Sequence, residues 1–67
     1  MLITDETSAM HKQAAIDHHE AAKKHLLTAD FIDHNNMVNA KEMSQHALNS
    51  CSVAQKSSTW ACKSAII

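Results

Sequence analysis

Small and apolar side chains recur along the first half of the chain at the spacing of one helix face. His11, His18 and His25 are seven residues apart, and the first two precede pairs of alanines. In a helix, successive residues are rotated by about 100° around the axis, which places these residues and their neighbours in one stripe along the helix. The stripe comprises His11, Ala14, Ala15, His18, Ala21, Ala22, His25, Leu26 and Ala29. Charged residues fall outside it, namely Lys12, Asp17, Glu20, Lys23 and Lys24. The pattern predicts a helix over about residues 5–31, with the three histidines on its apolar face.

The second half of the chain carries another run of small residues, at alternating spacings of three and four. This is the seam pattern of a helix that packs on another helix, and its members are Met37, Ala40, Ser44, Ala47, Cys51, Ala54, Ser58 and Ala61. Residues 30–36 separate the two patterns, and Asn35 or Asn36 can adopt the left-handed conformation that ends a helix. We therefore predict an all-α fold with a single domain over residues 1–67. It is an antiparallel hairpin of two helices, at about residues 5–31 and 35–64.

A second apolar stripe lies off this seam, because Val53, Trp60 and Ile67 are also seven residues apart. A two-helix hairpin cannot bury two faces by itself, so the stripe predicts a homo-oligomer, most simply a dimer that forms a four-helix bundle. The predicted interface residues are Ala14, Ala21, Ala40, Ala47, Ala54, Val53, Trp60 and Ile67.

Composition narrows the class of protein. The chain has no glycine and no proline, which favours long helices with few turns. Its net charge is −1 and it has no arginine, so we expect no nucleic-acid partner. Cys51 and Cys62 lie about 16 Å apart along one helix, too far for a disulfide, which suits a reducing compartment. With no signal-peptide pattern and no apolar run of membrane length, we expect a cytoplasmic protein without a membrane span.

The histidines suggest a metal site. Neutral imidazole binds zinc, copper and nickel, and the candidate ligands are His11, His18, His25 and Cys51. Two ligands on one helix share an ion when they are three or four residues apart. Histidines seven apart are separated by about 10.5 Å along the axis. A metal ion therefore needs ligands from a second helix or a second subunit, such as Cys51, Ser44 or another histidine.

Two other interpretations of the histidines stay open. Buried imidazoles resist protonation, so a fall in pH through about 6 would charge and loosen an apolar seam. In that case stability is present above the unfolded-state pKa and lost as the pH falls below it. The other interpretation is that some histidines are core residues whose ring nitrogens have hydrogen-bond partners.

A repeated block gives one resemblance. Residues 18–25 read His-His-Glu-Ala-Ala-Lys-Lys-His, and residues 40–42 and 45–47 read Ala-Lys-Glu and Gln-His-Ala. These blocks resemble those of small, uncharacterised His- and Ala-rich bacterial proteins, which repeat them across a helical hairpin. The likeness covers residues 11–47 and implies the hairpin fold, but no activity. The chain departs from those proteins in its Asp-Phe-Ile-Asp turn and its Cys- and Ser-rich second helix.

The sequence gives little support for catalysis. Cys51 with a seam histidine could form a nucleophilic Cys–His pair, but a buried cysteine among alanines is far more often a small apolar residue. The chain lacks a glycine-rich phosphate loop, a His-Glu-x-x-His motif and a nucleophile elbow. The Glu-x-x-His pattern of di-iron bundles is also missing, since Lys23 follows Glu20 and Gln45 follows Glu42 at that spacing. We therefore expect a non-enzymatic protein without a cofactor, which self-associates through small-residue seams as an interaction module. The alternative is a protein that binds zinc, copper or nickel through its histidines.

Overall fold

The computed structural model describes residues 4–64, with the side chains of residues 6–63. Helix α1 spans Thr4–Asp33 and helix α2 spans Met37–Ser64. The two helices pack antiparallel in a rod whose Cα atoms extend over 53 × 13 × 11 Å. The predicted all-α helical hairpin is thus confirmed. Its first helix ends at Asp33 rather than at residue 31, and its second begins at Met37 rather than at residue 35.

The turn between the helices is built from asparagines. Asn35 has φ 59°, the left-handed conformation that Asn adopts more readily than most residues. The Asn36 amide donates to the Phe31 carbonyl at 2.7 Å, and the Asn35 amide donates to the Ile32 carbonyl at 3.0 Å. This pair of bonds is the Schellman motif, which satisfies carbonyls at the end of a helix. The prediction that Asn35 or Asn36 supplies the left-handed residue is confirmed at Asn35.

Asn36 also starts α2. Its side-chain Oδ1 accepts a hydrogen bond of 3.3 Å from the Asn39 amide, as an N-cap residue does. Its carbonyl accepts the first helical bond, from the Ala40 amide at 2.9 Å. One residue therefore completes the end of α1 and caps α2, which makes the hairpin turn short.

Among the described residues, the buried core consists of alanines alone, and no large side chain is fully buried. Its members are Ala14, Ala21, Ala40, Ala47, Ala54 and Ala61. Alanine side chains project little from a helix, so they let the two backbones approach closely. Each buried methyl contributes only about 0.8 kcal/mol, so this core is weak for a chain of this length.

On α2 the seam agrees with the predicted one at the alanines, Cys51 and Ser58, and differs from it at Met37 and Ser44. The buried alanines of this helix alternate with half-buried residues, while Ser44 and Met37 are exposed. The half-buried residues are Met43, Ser50, Cys51, Ser57 and Ser58. On α1 the half-buried residues are Thr7, Met10, Asp17, Lys24, Thr28 and Phe31. The predicted stripe on α1 was therefore too wide. Its exposed members are His11, Ala15, His18, Ala22, His25, Leu26 and Ala29.

Over residues 4–64, neither helix contains a segment that is both long and apolar enough to cross a membrane.

Candidate functional site

Two rows of polar contacts flank the alanines, one on each side of the seam. On the first side Ser57 Oγ donates to Asp17 Oδ2 at 2.5 Å, and Lys24 Nζ donates to Ser50 Oγ at 3.2 Å. We call this the Asp17 side of the hairpin. All four side chains are half-buried, so the contacts exclude part of the solvent. Asp17 and Lys24 were wrongly predicted to lie outside the seam.

The opposite side of the seam carries His18 and His25. His18 Nε2 lies 2.6 Å from Ser58 Oγ, and His25 Nε2 lies 3.3 Å from Cys51 Sγ. We call this the histidine side. The two pairs repeat at heptad spacing in opposite chain directions, as antiparallel packing requires. His18 and His25 are exposed, whereas Ser58 and Cys51 are half-buried.

Of the four predicted metal ligands, the structure brings two together. His25 and Cys51 lie within hydrogen-bond distance of each other. His18 contacts Ser58 instead, and His11 is exposed one heptad further from the turn. Among the described residues, no group of three or more His, Cys, Asp and Glu side chains is placed to hold an ion. Within one chain the pair can therefore supply two ligands of a metal ion.

The exposure of the histidines bears on both alternatives to metal binding. A pH-responsive seam requires imidazoles that are shielded from water, and His11, His18 and His25 are exposed in the hairpin. None of the three fills the core, which the alanines occupy. Nε2 of His18 and Nε2 of His25 each have one partner across the seam, but both residues are exposed and neither is the core histidine that this interpretation predicted.

The predicted interface residues fall into two groups. Ala14, Ala21, Ala40, Ala47 and Ala54 are buried between the helices of one chain. Val53 and Trp60 are exposed, at 53% and 65% of their full surface. Ile67 lies outside the described residues.

Val53 and Trp60 belong to the Asp17 side of the hairpin. Val53 lines a shallow cleft of about 190 Å³ together with Asp17, Glu20 and Lys24. Trp60 follows Val53 by seven residues and so lies on the same face of α2. The apolar stripe and the histidine pairs therefore occupy opposite sides of the molecule.

Large apolar side chains are exposed over much of the rod. Nine are exposed among the described residues: Ile16, Leu26, Leu27, Ile32, Met37, Val38, Leu48, Val53 and Trp60. Scattered apolar residues are normal on a protein surface. Here, however, they outnumber the buried residues and are all larger than the alanines of the core. The described part of the hairpin thus leaves most of its large apolar side chains in water.

Both cysteines carry free thiols, Cys51 half-buried and Cys62 exposed. The expectation that they do not pair with each other is confirmed. Cys62 has no histidine contact comparable to that of Cys51 among the described hydrogen bonds. Cys51 is therefore the cysteine with a chemical partner.

Comparison with known proteins identifies no relative. No protein-family model matches the chain, and no curated protein or solved structure matches it.

Proposed function

We propose that this chain is a small, non-catalytic interaction module that works as a homo-oligomer, most simply a dimer of hairpins in a four-helix bundle. The observation that supports the proposal is the mismatch between core and surface. The described core holds only alanines, while nine larger apolar side chains are exposed. Burial of a Val, Leu, Ile or Phe side chain contributes about 1.5–3 kcal/mol, well above the contribution of an alanine methyl.

We place the contact between hairpins on the Asp17 side, around Val53 and Trp60. Trp is among the residues that contribute most to interfaces, because it buries a large area with few rotatable bonds. The hairpin is 53 Å long and 13 Å wide between Cα atoms. A face of this size matches a standard interface, which buries about 800 Å² per partner.

A second copy of the chain suits this face in charge as well as in shape. Around Val53 the cleft combines the acidic Asp17 and Glu20 with the basic Lys24. In a two-fold contact the same patch meets itself, so a patch that carries both signs can complement its own copy. A partner with strong net charge of one sign would meet repulsion on part of this surface. The balanced net charge of −1 agrees with this choice of partner.

The proposal includes a cytoplasmic location without a nucleic-acid partner. The two free thiols suit a reducing compartment. The lack of arginine leaves only lysines as fixed positive charges, and they are balanced by acidic residues.

Sedimentation velocity over a range of chain concentrations tests the proposal, in buffer that contains a reductant and a metal chelator. We expect a reversible monomer–dimer equilibrium. Trp60→Ala should weaken the dimer at least tenfold, about 1.4 kcal/mol or more. Val53→Ala should weaken it by a smaller factor in the same direction.

Leu48→Ala is the matched control, since Leu48 is as exposed as Trp60 but lies outside the stripe. Its dissociation constant should stay within about twofold of the wild-type value, since scattered surface side chains contribute little to an interface they do not enter. A wild-type chain that stays monomeric at every concentration would refute the proposal. Weakening by Leu48→Ala but not by Trp60→Ala would show that the contact lies elsewhere.

A further inference from the structure

The His25–Cys51 pair is placed as two adjacent ligands of a tetrahedral metal ion. Its two atoms, Nε2 and Sγ, lie 3.3 Å apart on different helices. Zinc binds thiolate sulfur at about 2.3 Å and imidazole nitrogen at about 2.0 Å, so a tetrahedral angle separates these atoms by roughly 3.5 Å. A linear ion with the same bond lengths needs them about 4.3 Å apart. The observed distance fits the tetrahedral arrangement.

The helices hold this pair in place before any ion binds. His25 lies on α1 and Cys51 on α2, and the alanine seam between these helices sets their separation. The neighbouring His18–Ser58 pair has the same arrangement, with its two atoms at 2.6 Å. A serine hydroxyl is a poor ligand for zinc, whereas a thiolate is a good one. Only the His25 pair therefore combines the required geometry with the required chemistry.

One chain supplies only half of such a site. A closed zinc site in a protein has four side-chain ligands, and the described residues contain no group of three or more suitable side chains. His25 is exposed, so it is accessible to a second molecule. In a two-fold contact, the same two residues of a second copy supply the other two ligands.

We propose that two copies of this chain bind one Zn²⁺ between their histidine sides, through His25 Nε2 and Cys51 Sγ of each copy. The ion is then held by two thiolates and two neutral imidazoles. The two thiolates balance its double positive charge. Each Cys51 thiol releases its proton to solvent on binding, so two protons leave for every ion bound. Exposed alanines beside the pair, Ala22 and Ala29, leave room for the second helix pair.

This site lies on the side of the hairpin opposite Val53 and Trp60. Like the proposed function, this site requires two copies of the chain to meet, but it uses a different surface. The zinc contact and the contact around Val53 and Trp60 can each form without the other. Failure of one is distinguishable from failure of the other, because the zinc contact requires the ion. The dimer proposed above is measured in the presence of a chelator.

Untagged, reduced and metal-free protein is titrated with Co²⁺, whose absorption reports both thiolate ligation and tetrahedral geometry. The same protein with Zn²⁺ is analysed by native mass spectrometry. We expect one ion for every two chains, together with the thiolate-to-cobalt band. Cys51→Ser and His25→Gln should each abolish the band and the added metal mass. Circular dichroism checks that both variants keep the helical content of the wild type.

Two matched variants control for the number of cysteines and histidines. Cys62→Ser removes the other thiol, and His18→Gln removes the neighbouring histidine; both should bind Co²⁺ as the wild type does. Trp60→Ala should also keep the wild-type metal stoichiometry. Absence of the cobalt band in the wild type overturns the proposal. So does binding of one ion per chain by a chain that stays monomeric, or a band that persists in Cys51→Ser.

Discussion

Ser57 Oγ donates a hydrogen bond of 2.5 Å to Oδ2 of Asp17, which lies forty residues earlier in the chain. One heptad away on each helix, Lys24 Nζ donates to Ser50 Oγ at 3.2 Å. The alanine side chains between these pairs are identical methyl groups, which form no hydrogen bonds and so do not favour one register over another. The polar pairs therefore add to the turn in fixing the register of the two helices.

Loss of the Asp17 contact should destabilise the hairpin. In Ser57→Ala the half-buried carboxylate loses a donor, and hydrogen bonds to charged groups contribute about 1.5–3 kcal/mol, less where solvent can replace the donor. We expect the free energy of unfolding to fall by about 1 kcal/mol, in urea unfolding at a fixed chain concentration. Alanine favours helix more than serine does, so exposed Ser52→Ala serves as the control and should stabilise slightly. Equal stability changes in the two variants would contradict the role of Ser57.

The close approach of the helices depends on alanine at the buried positions. Ala54 is only 1% exposed, so a larger side chain at this position has no space between the helices. Ala54→Leu should destabilise the hairpin by about 2 kcal/mol, within the range for overpacked cores. Ala15→Leu is the control, because Ala15 is exposed. The measurement is thermal unfolding followed by circular dichroism, and a melting temperature for Ala54→Leu equal to that for Ala15→Leu would refute the close seam.

The helices and their break followed from the sequence, because helical periodicity, missing glycine and proline, and an asparagine-rich turn all indicate the same fold. Which residues of each helix face the other helix did not follow from the sequence. On α1 the alanines come in adjacent pairs, Ala14–Ala15 and Ala21–Ala22, and periodicity cannot tell which member of a pair faces α2. The structure buries the first of each pair. This rotation moves the histidines from the seam to its edge.

On α2 the ambiguity came from small polar residues, which occupy both candidate seam positions. Ser50 and Ser57 lie one residue before Cys51 and Ser58, and small side chains fit at either place. The feature of the sequence that could have identified the seam serines is the pair of charged residues Asp17 and Lys24, seven residues apart on α1. Their heptad spacing equals that of Ser50 and Ser57, in the order that antiparallel helices bring together. The polar partners Asp17 and Lys24 therefore indicate that Ser50 and Ser57 face α1, which hydrophobicity alone does not.

The hairpin turn should depend on the left-handed backbone of Asn35, which has φ 59°. Residues with a Cβ lose about 1–2 kcal/mol in this conformation, and asparagine is better tolerated than most. Asn35→Ala should therefore destabilise the hairpin by about 1 kcal/mol. Asn35→Gly, which adopts positive φ freely, should keep the wild-type stability within a few tenths of a kcal/mol. Urea unfolding measures both variants, and the interpretation fails if alanine and glycine at this position give the same stability.

Trp60 provides a direct optical test of the proposed dimer. It is the single tryptophan of the chain, and 65% of its surface is exposed in the hairpin. If Trp60 packs against a second copy, its emission should shift to shorter wavelength as the chain concentration rises. Quenching by acrylamide should fall over the same range, because the quencher loses access to a buried indole. Fluorescence titration in chelator-containing buffer measures both effects.

Two variants make this test specific to the stripe on α2. Val53→Ala should move the fluorescence transition to higher chain concentration, because it weakens the contact beside Trp60 without removing the probe. Leu48→Ala should leave the transition where it is in the wild type. Emission that stays constant while sedimentation shows dimer formation would place the contact away from Trp60. In that case the surface to test next is the histidine side, where Leu48 lies three residues before Cys51 on the same face of α2. Leu48→Ala is then the variant expected to weaken the dimer.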